Sequence, residues 1–193
     1  IMSLGNIYGG QMKYKQIDDS ASIWMNLIDE HYLPLHRHTL LAGKNFTAKP
    51  ENSEESETIV NEQLLKRFNI GGKDPGKAIG DEITLNGKKL TIVGVVKDFH
   101  YETVEDPIEP MAFRYFTNAS NGYLNVKITS RDWPTTFTSI EKVWRNIDRV
   151  HSLDAKFYDD QIEQAYSAFS MMIKVIGFLA FLAVCISSVG LFG

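Results

Sequence analysis

Hydrophobic and polar positions change period several times along the chain, and each change marks a predicted element. Ser22 to Leu27 alternates large apolar with polar or smaller residues, which predicts a strand. Asp29 is placed to cap a short helix reaching His36, with Pro34 in its first turns, where a missing N–H costs least. Leu40 to Phe46 predicts a strand that ends at a turn around Gly43, and Lys49 to Glu57 (KPENSEESE) reads as a polar, acidic loop. Thr58-Ile59-Val60 predicts a short strand. Asn61 then caps a helix over Glu62 to Phe68, with Leu64, Leu65 and Phe68 on one side and Glu62 at the positive end of the dipole. The turn-rich stretch Gly71 to Gly80 stops that helix.

The clearest hairpin follows. Asp81 to Leu85 and Lys89 to Lys97 are strand-like, and Asn86-Gly87 between them is a favoured tight-turn pair. Glu109 to Phe116 and Tyr123 to Thr129 predict further strands. From Asp132 to Asp148, Phe137, Ile140, Val143, Trp144 and Ile147 recur at helical spacing, with Pro134 at the start. Asp154 to Tyr158 predicts a last short strand. Asp159 and Asp160 open a helix expected to run unbroken to the end of the chain, about 52 Å at 1.5 Å per residue.

The charge distribution changes this picture most. All 44 charged residues of the 193-residue chain lie in positions 1–174, and the stretch Val175 to Gly193 has none. Those 19 positions hold fourteen apolar residues, three glycines and two serines. As a helix they cover roughly 28 Å, close to a bilayer core of about 30 Å, so the segment predicts a membrane span in preference to a buried core helix. Gly177, Ala180, Ala183, Ser187 and Gly190 fall toward one side of that helix and predict a face that partner helices approach closely. The net charge of −4 argues against a nucleic-acid binder, and the single cysteine, Cys185, excludes an intramolecular disulfide framework.

Candidate chemistry is sparse. His31, His36 and His38 cluster near Asp29, but Pro34 breaks the geometry a metal pair needs, so solvated surface histidines are the default reading. Gly71 to Lys77 matches the spacing of a phosphate loop. Ala78 stands where the magnesium-binding hydroxyl belongs, and the strand–loop–helix context is missing. Asp98, His100 and Glu102 would share one side of a strand, so an acid/base site is conceivable, although a polar strand end is the simpler reading. The residues thus assign no catalytic, cofactor-binding or metal-binding position and imply no cofactor.

Longer stretches carry a resemblance. TIVNEQLLKRFNI, DPGKAIGDEITLNGKKLTIVGVVKDFHYETV and IEPMAFRYF resemble the extracytoplasmic domain of MacB/FtsX-type ABC transporter permeases. LLAGKNFT resembles that family's strand and turn, and the closing IEQAYSAFSMMIKVIGFLAFLAVCISSVGLFG resembles the helix leading into its second membrane span. IVGVVKDFH, at 92–100, is the most specific element. The resemblance implies that the chain is a fragment lacking the first and later spans.

It further implies an α+β fold: a two-lobed mixed domain, one lobe βαβ-like and one strand-rich, followed by a long stalk helix continuing into a transmembrane helix. Residues 1–158 would be the extracytoplasmic core domain, 159–174 the stalk and 175–193 the span, in a bacterial inner membrane. The implied role is non-enzymatic: the domain would pass conformational change from a cytoplasmic ATP-binding subunit to cargo handling outside the membrane. Implied partners are that ATPase, other permease helices or a second permease subunit, the lipid bilayer, and a lipoprotein, peptide or antibiotic cargo. A membrane-anchored sensor or binding module is the competing reading; a single-span enzyme using Asp98, His100 and Glu102 ranks below it.

Overall fold

A computed structural model describes residues 7–15, 20–50, 53–101, 106–115, 124–129 and 131–192. The chain divides into two compact units, Ile1–Lys127 and Ile128–Gly193.

The first unit is built on seven strands: β1 (Tyr8–Lys13), β2 (Ser20–Ile28), β3 (Leu40–Gly43), β4 (Glu57–Asn61), β5 (Glu82–Leu85), β6 (Lys88–Val96) and β7 (Met111–Tyr115). Their order is β3-β6-β4-β7-β2-β1-β5, and β5 also pairs with β6. Six strands therefore close into a ring, while β3 continues along the same edge of β6 that β5 occupies lower down. Closure removes most free edges. The parallel pairs are β4–β6 and β2–β7, and helix α2 (Glu62–Phe68) lies in the connection from β4 to β6, a βαβ-like unit of the kind the family resemblance implied.

Two apolar clusters occupy the two faces. Met12, Ile23, Met25, Val60, Ile83, Leu85, Leu90, Ile92 and Ala112 fill the inside of the ring, with Leu64, Leu65 and Phe68 of α2 packed against them. Ile59, Val96, Met111, Phe113 and Tyr115 form the other face, covered by Tyr32 and Leu33 of helix α1 (Tyr32–Leu35) and by Phe46 and Tyr101. Strand β6 serves both clusters because its alternation slips: Thr58 faces Ile92, but Ile59 faces Gly94. The bulge turns Val95 toward the first cluster after Ile92, where strict alternation would have sent it outward.

The local signals explain the elements. Asn61 caps α2 through its side chain, which accepts from the Leu64 N–H, and Asn69 in the left-handed conformation ends it. Asp29 accepts from the N–H groups of His31 and Tyr32 and so starts α1. Asn86 (φ 46°) and Gly87 (φ 82°) both turn left-handed between β5 and β6, as a tight hairpin requires. Glu57, assigned to the acidic loop by composition, instead opens β4.

The second unit holds α3 (Trp133–Ile147) and α4 (Tyr158–Phe192). Asp132 caps α3 by accepting from the Thr135 N–H, with Pro134 in the first turn. No α3 residue is buried; Trp133 and Phe137 pack on Phe157, and Val143 and Ile147 stand exposed.

Two strand expectations fail. Of the strand expected over Tyr123 to Thr129, residue 123 lies outside the described residues and 124–129 join no ladder among them; of the one expected over Asp154 to Tyr158, residues 154–157 join none either, and Tyr158 instead begins α4. The alternation at Leu124 and Val126 is present, yet Leu124 is 89% exposed. Alternation supplies a face; a strand also needs a neighbouring edge to take its backbone hydrogen bonds.

The long helix is as expected. It runs 35 residues without interruption from Tyr158. Within it Ser170–Leu191, 22 residues, is long and apolar enough to cross a membrane. At 1.5 Å per residue that stretch covers about 33 Å.

Candidate functional site

Of the acid/base trio, Asp98 and His100 lie among the described residues. Strand β6 ends at Val96, so Asp98 and His100 are past the ladder and strand alternation does not align them. Glu102 lies outside the described residues. Asp98 is committed elsewhere: its carboxylate accepts from the Gln63 N–H at 3.0 Å and from Lys66 Nζ at 3.3 Å. In return, the Asp98 N–H donates to Glu62 Oε2 at 2.9 Å. This is a reciprocal cap made across 36 residues, and it ties the N-terminus of α2 to the end of β6.

The phosphate-loop spacing has a similar local explanation. Residues 71–80 fold as turns around a short 3₁₀ helix, Pro75–Ala78. Asp74 Oδ1 accepts from the Gly76 N–H at 2.9 Å. A carboxylate thus occupies the amide that a phosphate oxygen would need.

The histidines divide. His31 is exposed, with its ring beside Glu30. His36 and His38 are half-buried in an aromatic cluster, which corrects the surface reading. His38 lies 4.2 Å, centroid to centroid, from Phe99 and stacks on Tyr32 at 5.8 Å; the two imidazoles are 6.1 Å apart. Burial, and then positive neighbours led by His36, push the His38 pKa down to about 4. Among the described residues no group of His, Cys, Asp and Glu side chains could hold a metal ion.

A part-buried charged centre was not visible from sequence. Arg114 on β7 clasps Glu55 through Nε and Nη2, and Lys88 Nζ joins Glu55 at 3.2 Å. Burial alone would raise the Glu55 pKa, but Arg114 and Lys88 outweigh it and hold the carboxyl below its ordinary value. At the far end of β4, Asn61 is fully buried: Oδ1 accepts from Leu64 N–H and Met111 N–H, and Nδ2 donates to Glu109 O at 2.9 Å. Trp24 Nε1 donates to the Glu109 carboxylate. These contacts join the strands and make structure; none presents a reactive group in a cleft.

Comparison with known proteins gives the family. The profile of the MacB-like periplasmic core domain matches residues 3–142, most of the chain. The chain belongs to that family.

Solved structures agree on the fold. This MacB-like chain is similar to the periplasmic region of MacB from Actinobacillus actinomycetemcomitans, with a TM-score of 0.54 and 12% identity. The alignment covers 74% of this chain and 64% of that one, so the chain spans less than two thirds of that region. It is also similar to the extracellular domain of the noncanonic ABC-type transporter YknZ from Gram-positive bacteria, with a TM-score of 0.54 and 16% identity over 74% of this chain and 72% of that one. No curated protein sequence matches the chain.

Proposed function

We propose that the chain is the non-catalytic extracytoplasmic part of an ABC-type transporter permease together with one of its membrane helices. Residues 1–158 lie outside the cytoplasmic membrane, 159–174 form a stalk and 175–193 enter the bilayer. A cytoplasmic ATP-binding subunit drives the cycle, further permease helices pack beside α4, and the cargo is a lipoprotein, a peptide or an antibiotic.

The observation that carries this reading is the continuity of α4. It passes from a charged first turn, with Asp159 and Asp160, to an uncharged membrane-length stretch with no Gly or Pro between Asp159 and Ile176. Such a helix keeps its hydrogen-bond ladder and transmits a displacement that a Gly- or Pro-broken linker would absorb. Family membership supports the extracytoplasmic placement of the strand-built unit. The engagement of Asp98 in capping α2 supports a non-enzymatic role.

Replacing Ala165 and Tyr166 by Gly-Pro in the intact transporter tests it. A helix-interior Pro costs about 3 kcal/mol and kinks or breaks the helix. Transport should fail while ATP hydrolysis by the partner persists. Undiminished transport overturns the stalk reading.

A further inference from the structure

Helix α1 and the segment leading into β3 are held on the outer face of the sheet by rings. Tyr32 and His36 come from α1, His38 from the segment after it, Phe99 from the segment after β6, and Phe113 from β7. His38 is in contact with three of these elements: its ring stacks on Tyr32, meets Phe99 at 4.2 Å and Phe113 at 5.8 Å. The His38 N–H donates to Leu33 O at 3.0 Å, and Thr39 O accepts from the Lys97 N–H at 2.9 Å, so the ring sits between two backbone ties.

The groups facing His38 offer a cation little. The α1 side presents the Tyr32 phenol and the His36 imidazole; Phe99 and Phe113 are uncharged. Among the described residues no carboxylate forms an ion pair with His38. A proton on this ring would be added beside a second imidazole in a half-buried site, where an unpaired charge is costly.

We propose that His38 is an acid-sensitive latch: neutral, it pins α1 and the start of β3 to the sheet; protonated, it lets that segment leave. The sign follows from linkage. A histidine harder to protonate when folded contributes stability that is complete above its unfolded pKa and is lost as pH falls toward the folded one. For a domain outside the cytoplasmic membrane, whose pH follows the surroundings, the opened segment would expose Phe99 and Phe113 when the medium turns acid.

Hydrogen exchange on the full chain in lipid nanodiscs tests this, read at the His38 and Lys97 amides and corrected for the intrinsic pH dependence of exchange. With the pKa moving from 6.5 to about 4, protection should fall about 30-fold between pH 7.5 and pH 5. The β5–β6 hairpin should keep its protection. His38→Phe, which retains a ring, should leave only the smaller pH dependence at Lys97 that His36, itself held below its ordinary value by burial, contributes. A wild-type segment whose protection does not change, a His38→Phe chain with the wild-type loss, or an equal loss in the hairpin each overturns the latch. Should His38→Phe fail to fold, the His38 ring-proton titration of the wild type decides. A midpoint near 4 supports the proposal. A midpoint at 6.5 or above means that cation–π contact with the rings holds the proton in place, and overturns it.

Discussion

Arg114 and Glu55 meet in a two-pronged contact, with the Arg114 side chain 11% exposed and that of Glu55 8% exposed. One partner lies on β7, the other in the loop that leads into β4, so the pair fastens an otherwise polar segment to the sheet. Breaking such a pair leaves one charge buried without compensation, at a cost of about 3–5 kcal/mol. Glu55→Gln should therefore lower the unfolding free energy of the strand-built unit by that order. Replacing both residues with apolar ones of similar volume should cost less than either single change. A single-variant loss no larger than that of the exposed pair Arg145–Glu141 would contradict this account. The acid side has a definite sign: the Glu55 carboxyl is held low when folded, so its contribution is complete above the ordinary carboxylate pKa and is lost as pH falls through the lowered value.

Asn61 does three jobs from one buried position. It caps α2, receives the Met111 N–H, and donates to Glu109 O. Asn61→Ala removes all three at once and strands two buried N–H groups, while the part-buried Glu109 carbonyl loses this donor. The expected loss is about 2–4 kcal/mol, above that of an ordinary cap. Asn61→Asp keeps the two acceptor contacts but turns a carboxylate toward Glu109 O. It should fall between alanine and wild type in a denaturant titration, and equality with alanine would mean the cap contributes nothing.

Local chemistry was legible in the sequence where it acts over a few residues. Asn61 before Glu62–Phe68, Asn86-Gly87 between two β-branched runs and the uncharged tail all name their own structure. What stayed hidden depends on distant neighbours. Glu55 lies in a run of glutamates that composition reads as solvated, and only the fold brings Arg114, 59 residues away, to it. Asp98 accepts from the Gln63 N–H and donates its own N–H to Glu62, 36 residues away. His36 and His38 look like surface residues until Tyr32 packs on both and Phe99 and Phe113 on His38. The strands expected over Tyr123 to Thr129 and Asp154 to Tyr158 show the converse: local composition suits a strand, but the edge that would pair with it is not in the pattern. Family resemblance was legible chiefly through IVGVVKDFH, a run that holds the end of β6, the residue Gly94 at its bulge and Asp98, which caps α2.

Gly94 sits where β3 and β4 both crowd β6. A Cβ there would stand 2.5 Å from Lys44 O and 3.2 Å from Ile59 Cγ1. The first contact is with backbone, which cannot swing aside. Gly94→Ala should therefore push β3 away from β6 and cost about 1–3 kcal/mol, as overpacking in a core does. The Lys44 N–H, bonded to Val93 O at 2.9 Å, reports the separation: its exchange protection should fall more than that of the Ile83–Leu90 end of the hairpin. Uniform loss across both sites would indicate general destabilisation in place of a local clash.

The apolar end of α4 yields the sharpest test of membrane placement. Leu182 lies near the middle of Ser170–Leu191, with no charged residue after Lys174. If lipid surrounds this stretch, Leu182→Lys places an ammonium close to the bilayer centre, at about 2.5–3.5 kcal/mol on insertion scales. The same lysine at Ser170 would reach the interface and cost little, because a long side chain near a span end extends its charge to the headgroups. Membrane retention after alkaline extraction should therefore drop steeply for Leu182→Lys and hardly at all for Ser170→Lys. Equal retention of the two variants would argue that water, not hydrocarbon, contacts position 182, because only a hydrocarbon slab makes the cost depend on depth along the helix.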